Sequence, residues 1–299
     1  MFCKKIKSIL YKIEQKYSKK AFDQRYGEGI DVMDKDWDNM IILDACRLDS
    51  FAKYNNIDGE LKKVVSRGNH SKSFIDKNFA GRDLHDTIYI TANPFVERIS
   101  ENVFFRVYYS ELFDKWDESM NTIPPEAVVE SAIEMNRQYP NKRIIAHMMQ
   151  PHAPYIGPTG KELYNRYTFG LFNHSIKNRA GFDIPNVSIP QAMQDGPIKQ
   201  HELRQAYEEN VQIALRHAKT LIEKLDGKSV ITADHGEMLG ERVLFKRRYS
   251  HGRFHTPELR VVPWLIVDAD ERRNITSGSP KNFTNLEERE THLEALGYK

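Results

Sequence analysis

The sequence predicts an α/β fold with a mainly parallel central sheet and helices on both faces. Three observations predict it. Six short runs read as strands, several of them apolar throughout, which is the composition of strands covered on both faces. Helical patterns lie between them, and strands alternating with helices imply a parallel sheet sandwiched by helices. Three of the runs end on polar residues suited to chemistry, Asp44, Asn93 and Asp234, and in such folds functional groups gather beyond the carboxyl ends of the strands.

The first element, from Met1 to Tyr26, carries eight Lys or Arg against Glu14 and Asp23, with Ile6, Leu10, Ile13 and Tyr17 at roughly helical spacing. It reads as a basic amphipathic helix. Two readings follow: peripheral attachment to an anionic membrane or partner, or a helix packed across the domain with a solvated lysine face. Neither this segment nor any other offers the uninterrupted apolar stretch of a signal peptide or membrane span, so a cytoplasmic location is expected, membrane-peripheral under the first reading.

Asp-rich DVMDKDWDN separates that helix from NMIILD, and the core domain is expected to start near Trp37. The further strands are LKKVVS ending at Ser66, DTIYITAN ending at Asn93, RIIAHMM at Arg143 to Met149, SVITAD at Ser229 to Asp234, and VVPWLIVD at Val261 to Asp268. Helical patterns cover Pro124 to Tyr139 and about Gln200 to Leu225. Residues 156–197 are rich in Gly, Asn, Pro and aromatics without clean periodicity and read as an irregular insertion, a lid or a substrate wall. After Asp268 the chain turns polar before a short helix, LEERETHLEAL. The expected division is an extension at 1–36, a catalytic domain at 37–270 and a tail at 271–299.

Composition bounds the function. With 299 residues and 40% hydrophobic content the chain can bury a sizeable core. Its 44 basic and 42 acidic side chains leave a formal charge of +2, no global field that would recruit nucleic acid. The two cysteines, Cys3 and Cys46, fit neither a disulfide framework nor a zinc finger.

The chemistry concentrates in a few motifs. Asp44 stands at a strand tip, a natural position for a metal ligand, although such an Asp also caps helices. In ITADHGEMLGE, Asp234 and His235 leave a strand together, so an oxygen and an imidazole can meet one metal, and Gly236 permits tight backbone geometry before an expected helical turn. Asn93 at its strand end suits donation to a substrate oxyanion, or a turn. Arg47 and Arg67 flank these positions in sequence and suit bidentate binding of phosphate oxygens, or surface ion pairs.

LDACRLD at the front, PHAPY in the middle and TADHGEMLGE near the end together resemble the sulfatase-like branch of the alkaline phosphatase superfamily, in order and spacing, over roughly Trp37 to Asp268. The closing LEALGYK resembles the ending of many such sequences. The resemblance implies an alkaline-phosphatase-like three-layer sandwich and a metal held by Asp44, Asp234, His235 and the nucleophile. It places that nucleophile at a helix start after the second strand, where SRGNHSKSFIDKNFAG offers Ser66, Ser71 and Ser73. Ser71 is selected because the helical pattern begins there and a helix N-terminus stabilises an alkoxide and a bound oxyanion; Ser73 is the reserve. The resemblance further implies His152 of PHAPY as general acid and His251 as a substrate-binding residue, with His251 and His255 a candidate second metal site; His147, inside the strand pattern, reads as structural or as a support behind the ligands.

The CxPxR pattern from which formylglycine is made is missing, since Cys46 is followed by Arg47, Leu48 and Asp49. An unmodified serine beside a divalent metal, whether Mn2+, Zn2+, Ca2+ or Mg2+, suits phosphoryl transfer. The expected function is therefore a metal-dependent phosphoester hydrolase or phosphotransferase, by analogy acting on a phosphoglycerol or sugar-phosphate group of a lipid or surface glycan. The alternatives are a sulfuric ester hydrolase without formylglycine and a non-catalytic membrane- or partner-binding member of the fold.

Overall fold

A computed structural model of the chain describes residues 2–99, 102–109, 112, 114–120, 122–167, 193, 198–243, 246–252 and 254–281. A long first helix, α1 (Phe2–Tyr26), precedes β1 (Asn39–Asp44), α2 (Leu48–Tyr54), β2 (Glu60–Val65), α3 (Ser71–Asn78) and β3 (Leu84–Thr91). A short 3-10 turn (Pro94–Arg98), β4 (Phe104–Tyr108), α4 (Pro125–Gln138), β5 (Arg143–Pro151) and α5 (Pro158–Tyr167) follow. The last elements are α6 (Gln200–Lys224), β6 (Ser229–Thr232), a hairpin of β7 (Leu239–Val243) and β8 (Lys246–Tyr249), α7 (Pro257–Arg260) and β9 (Val261–Val267).

Among the described residues, seven strands form one sheet in the order β2-β9-β6-β1-β5-β3-β4. β1 is central and parallel to both β5 and β6; only β9 runs against the rest, antiparallel to β6 and β2. Every residue of β1 is buried, as expected of a strand covered on both faces. Its alternate side chains serve two cores. Ile41 and Leu43 join α4 and α6 through Val128, Ala132, Val211 and Leu215. Met40 and Ile42 join α3 and the segment before β1 through Phe74, Phe79, Val32 and Trp37.

The helices form where the sequence repeats at three and four residues. Along α6, Leu203, Ala206, Tyr207, Asn210, Val211, Ala214, Leu215, Ala218 and Leu221 are buried. Its start is fixed by Glu202, whose carboxylate accepts the Lys199 backbone N–H at 2.8 Å. Prolines 124 and 125 begin α4, where a missing backbone N–H costs nothing.

Three features depart from the sequence reading. β4 is an unanticipated edge strand. The segment after Gly236 is a β-hairpin and not a helical turn, because Leu239 is buried and its N–H is taken at 2.6 Å by the Glu241 carboxylate two residues on. The beginning of the tail is tied down: Arg272 pairs with Asp36 and Asp38 at 2.8 and 2.6 Å, and Arg273 donates to Asn39 at 2.7 Å, beside the amino end of β1. In the 156–197 insertion, α5 is ordered helix packed on α6; residues 168–192 and 194–197, on which a lid would depend, and the closing LEERETHLEALGYK lie outside the described residues.

α1 lies along the 248–260 segment. Glu14 pairs with Arg248 at 2.7 Å and Asp23 with Arg260 at 2.9 Å, while Phe22 is buried under the Arg260 guanidinium. His255 sits in the same contact, its Nδ1 accepting from Arg260 at 3.2 Å. Burial and the Arg260 charge push His255 down to about 4. Its unfolded value is near 6.5, so between those values the unfolded chain binds the extra proton. The stabilisation is complete above about pH 6.5 and is lost as pH falls through 4. We expect the melting temperature of a His255→Gln variant to depend less on pH than that of the wild type across this window, measured by thermal melts at stepped pH.

Candidate functional site

Because six of the seven strands run the same way, their carboxyl ends deliver Asp44, Asn93, Asp234 and the loop leading to Ser71 to one edge of the sheet. There the Ser71 hydroxyl, the first residue of α3, lies 3.2 Å from Asp44 Oδ2 and 3.2 Å from His235 Nε2. His235 Nε2 is in turn 3.5 Å from Asp44 Oδ1 and 3.4 Å from Asp234 Oδ2. All four side chains are buried. The backbone around them is equally constrained: a Cβ on Gly236 would meet the Glu258 carbonyl oxygen at 2.0 Å, so only glycine lets the two chains touch.

His147, read from the sequence as structural or as a support behind the ligands, faces the same centre. Its Nδ1 shares a 2.8 Å hydrogen bond with the Tyr89 hydroxyl, and its Nε2 points to Asp234 Oδ2 at 3.8 Å. Asp44 Oδ1, Asp234 Oδ2 and His147 Nε2 are buried with no hydrogen-bond partner among the described residues. Three orphaned ligand atoms converging on one point are costly without a cation and natural around one. Ligands about 2.1 Å from a tetrahedral ion stand roughly 3.4 Å apart, and the separations here match. The residues therefore fit a divalent ion.

The electrostatics agree. Burial and the neighbouring Asp234 charge push Asp44 well above the usual carboxylate range, a conflict that a bound cation would resolve. Burial holds His147 down at about 4 and His235 well below an ordinary imidazole, so both present lone pairs. His235 Nδ1 is engaged by the Gly236 carbonyl at 2.8 Å, which turns Nε2 inward.

Beside this centre stands a second group, formed by the half-buried His152 and His251 and the buried Glu237. The His251 ring is 4.5 Å from that of His235 and 5.0 Å from that of His152, and its Nδ1 is 3.5 Å from Glu237. Burial pulls His251 down, but the Glu237 carboxylate outweighs it and leaves His251 raised; burial and the His251 charge keep His152 low. Glu237 was missed in sequence, although it directly follows Asp-His-Gly.

Several expected substrate contacts are not made. Arg47 is spent on structure: its guanidinium binds Asp49 bidentately at 2.8 and 2.7 Å, Glu241 at 2.8 Å and the Glu237 carbonyl at 2.9 Å, so no edge remains for a phosphate. We expect Arg47→Met to cost about 1–3 kcal/mol in urea denaturation, since it leaves the buried Glu237 carbonyl without its donor and takes an ion pair from Asp49 and Glu241, both partly solvated. Asn93 donates to Asp44 at 2.6 Å and accepts the Phe95 N–H, so it orients a carboxylate and faces no open space. Arg67 is held by Asp31 at 2.6 Å. His255 belongs to the α1 contact and does not join His251 in a second cation group. Ser73 is absorbed in capping, its hydroxyl bound by Asn69 and the His70 carbonyl. Cys46 is fully buried and burial pushes its thiol far up, which removes it as a reacting group.

Sheet order and crevice define the class: the chain is an α/β sandwich, a mainly parallel seven-stranded sheet with helices on both faces, as expected from the sequence. Among solved structures, the chain is similar in fold to the C-terminal periplasmic domain of EcEptC from Escherichia coli in complex with zinc, at 15% identity, over 81% of this chain and 76% of that one, with a TM-score of 0.48. It is similar also to the integral membrane lipooligosaccharide phosphoethanolamine transferase A from Neisseria meningitidis, at 11% identity and TM-score 0.49, over 78% of this chain but 47% of that one. A protein in the alkaline phosphatase superfamily from Vibrio parahaemolyticus matches at 12% identity and TM-score 0.45, over 80% of this chain and 61% of that one. No family model matches the chain, and no curated protein matches it by sequence.

One expectation is corrected by these likenesses. Structures sharing the architecture are described as periplasmic domains, against the cytoplasmic location expected from the sequence, and that expectation is withdrawn. It rested on a missing export signal, which locates nothing. No helix among the described residues is long and apolar enough to cross a membrane.

Proposed function

We propose that this chain is a phosphoester transferase or hydrolase whose nucleophile is Ser71, with residues 37–270 as its catalytic unit. The observation that carries the reading is the Ser71 hydroxyl at a helix N-terminus, 3.2 Å from both Asp44 and His235 and beside three buried ligand atoms that have no hydrogen-bond partner among the described residues. Asp44, Ser71, Asp234 and His235 would hold the ion, with His147 facing it. A divalent ion bound there lowers the pKa of the hydroxyl and offsets charge on the phosphoryl oxygens.

The residues divide the work as follows. Ser71 Oγ loses its proton, for which Asp44 Oδ2 is within reach at 3.2 Å, and forms a bond to phosphorus as the bond to the leaving oxygen breaks. The leaving oxygen takes a proton from the half-exposed imidazole pair. Within that pair we assign the donor role to His251 in place of His152, because the Glu237 carboxylate favours the protonated form of His251 while burial and the His251 charge disfavour that of His152. Water or an acceptor alcohol then attacks the phospho-serine, returning Ser71 and releasing phosphate or a new ester. Asn93 keeps the Asp44 carboxylate oriented throughout.

The substrate proposed is a phosphoglycerol or sugar-phosphate ester carried by a lipid or glycan, with peripheral membrane contact through residues 1–26. The reading is tested by dialysing the protein against chelator and adding back Mn2+, Zn2+, Ca2+ or Mg2+ with aryl phosphate monoester, diester and sulfate. Turnover of a phosphate ester that returns with metal is expected. Turnover of the sulfate alone would replace the phosphoester reading, and turnover indifferent to chelator would overturn the metal assignment.

A further inference from the structure

α1 is amphipathic in an unusual division of charge. Both of its acids face the domain, Glu14 paired with Arg248 and Asp23 with Arg260 and Lys19. Lys12, Lys16 and Lys20 are exposed and have no ion pair among the described residues. Between them stand Ile13 and Tyr17, 59% and 64% exposed, the two most exposed large apolar side chains among the described residues. A solvated lysine face accounts for the charges but not for an isoleucine and a tyrosine left in water one helical turn apart.

The helix is also part of the catalytic neighbourhood. Tyr11 packs edge-on against Phe254 and, with Met238, Leu259 and the basic Lys246, Arg247 and Arg248, lines a cavity of about 680 Å³ that has His251 in its wall. α1 therefore forms part of the cavity wall with its inner face, and anything bound on its outer face lies one helix diameter, ~10 Å, from that cavity.

We propose that the outer face of α1, Lys12, Ile13, Lys16, Tyr17 and Lys20, docks the chain on an anionic lipid bilayer. The lysines meet lipid phosphates while Ile13 and Tyr17 enter the headgroup boundary, the arrangement of a helix lying in the interface plane. Docked in this way, the cavity beside His251 sits close to the lipid surface, where a phosphoester embedded in the bilayer is reached without leaving it. Only this catalytic consequence rests on the function proposed above; the docking itself does not.

The test is flotation of the full chain with vesicles of phosphatidylcholine alone and of phosphatidylcholine mixed equally with phosphatidylglycerol, at low and high salt. The wild type is expected to float with the anionic vesicles at low salt and to leave them at high salt. Each lysine near such a surface contributes about five-fold in affinity, so Lys12→Gln/Lys16→Gln/Lys20→Gln is expected to bind on the order of 100-fold more weakly. Ile13→Ser/Tyr17→Ser is expected to weaken binding as well, with circular dichroism unchanged in both variants because all five positions are exposed. Equal flotation with neutral vesicles, no flotation with either, or unaltered flotation of the triple lysine variant would overturn the proposal. So would binding to soluble polyglutamate as tight as to vesicles and indifferent to Ile13→Ser/Tyr17→Ser, which would assign the face to an acidic polymer. Flotation in the presence of chelator and in Asp234→Ala is expected to persist; docking by a wild type that shows no metal-dependent turnover would leave the proposed chemistry alone in question.

Discussion

Ser71→Ala is expected to abolish turnover, lowering kcat by on the order of 10⁴ or more, as removal of a covalent nucleophile does. The substitution removes one oxygen from a buried position and leaves α3 in place, since the helix is capped by His70, whose Nδ1 accepts the Ser73 N–H, and not by Ser71. The fold should therefore survive, which near-ultraviolet circular dichroism would show. Bound metal should weaken without disappearing, because Asp44, Asp234, His235 and His147 remain. Ser73→Ala is the matched control: its hydroxyl serves the Asn69 and His70 backbone and side chain, so the variant should lose some helix stability and keep most of its turnover. Equal loss in both variants, or near-normal activity in Ser71→Ala, would show that the nucleophile lies elsewhere.

The second large effect concerns stability. A ligand that binds only the folded chain stabilises it by about 4 kcal/mol at a thousand times its Kd. The wild type should gain roughly this on saturation with its preferred ion, read as a rise in melting temperature. Asp234→Asn should gain almost none, since it removes the carboxylate closest to both His235 and His147. It should also do something less obvious. Without metal, Asp44 and Asp234 burden the core with two buried carboxylates, and the charge of Asp234 is one of the causes that raise Asp44. Removing that charge should make the metal-free variant at least as stable as the metal-free wild type. Calorimetry with and without chelator gives all four numbers. A variant that is less stable in chelator and still gains from metal would contradict the assignment of Asp234.

Much of the frame was legible because hydrophobic period and chain order are local properties. Six strands and two long helices announce themselves as apolar runs and three-four repeats, and their alternation implies the sheet. What escaped was structure whose cause lies far away in sequence. β4 pairs at an edge with β3 and carries Arg106 amid its apolar residues, so it lacks the uniform run of a central strand. The hairpin after Gly236 follows from Leu239 being buried and from Glu241 reaching back to it and across to Arg47.

The candidate site divides in the same way. The sequence by itself determined that Asp44, Ser71, Asp234 and His235 had the residue types and motif order for an ion and a nucleophile, because a motif is a statement about neighbours in the chain. Only the tertiary structure decided that they meet within 3.5 Å, that Ser71 and not Ser73 faces them, and that His147 looks inward with an unpaired nitrogen. It also decided that Arg47 and Asn93 are committed to carboxylates and that His255 belongs to α1. The physical reason is satisfaction: which polar atoms find partners when water is removed depends on every element that packs around them, and no stretch of sequence records that alone.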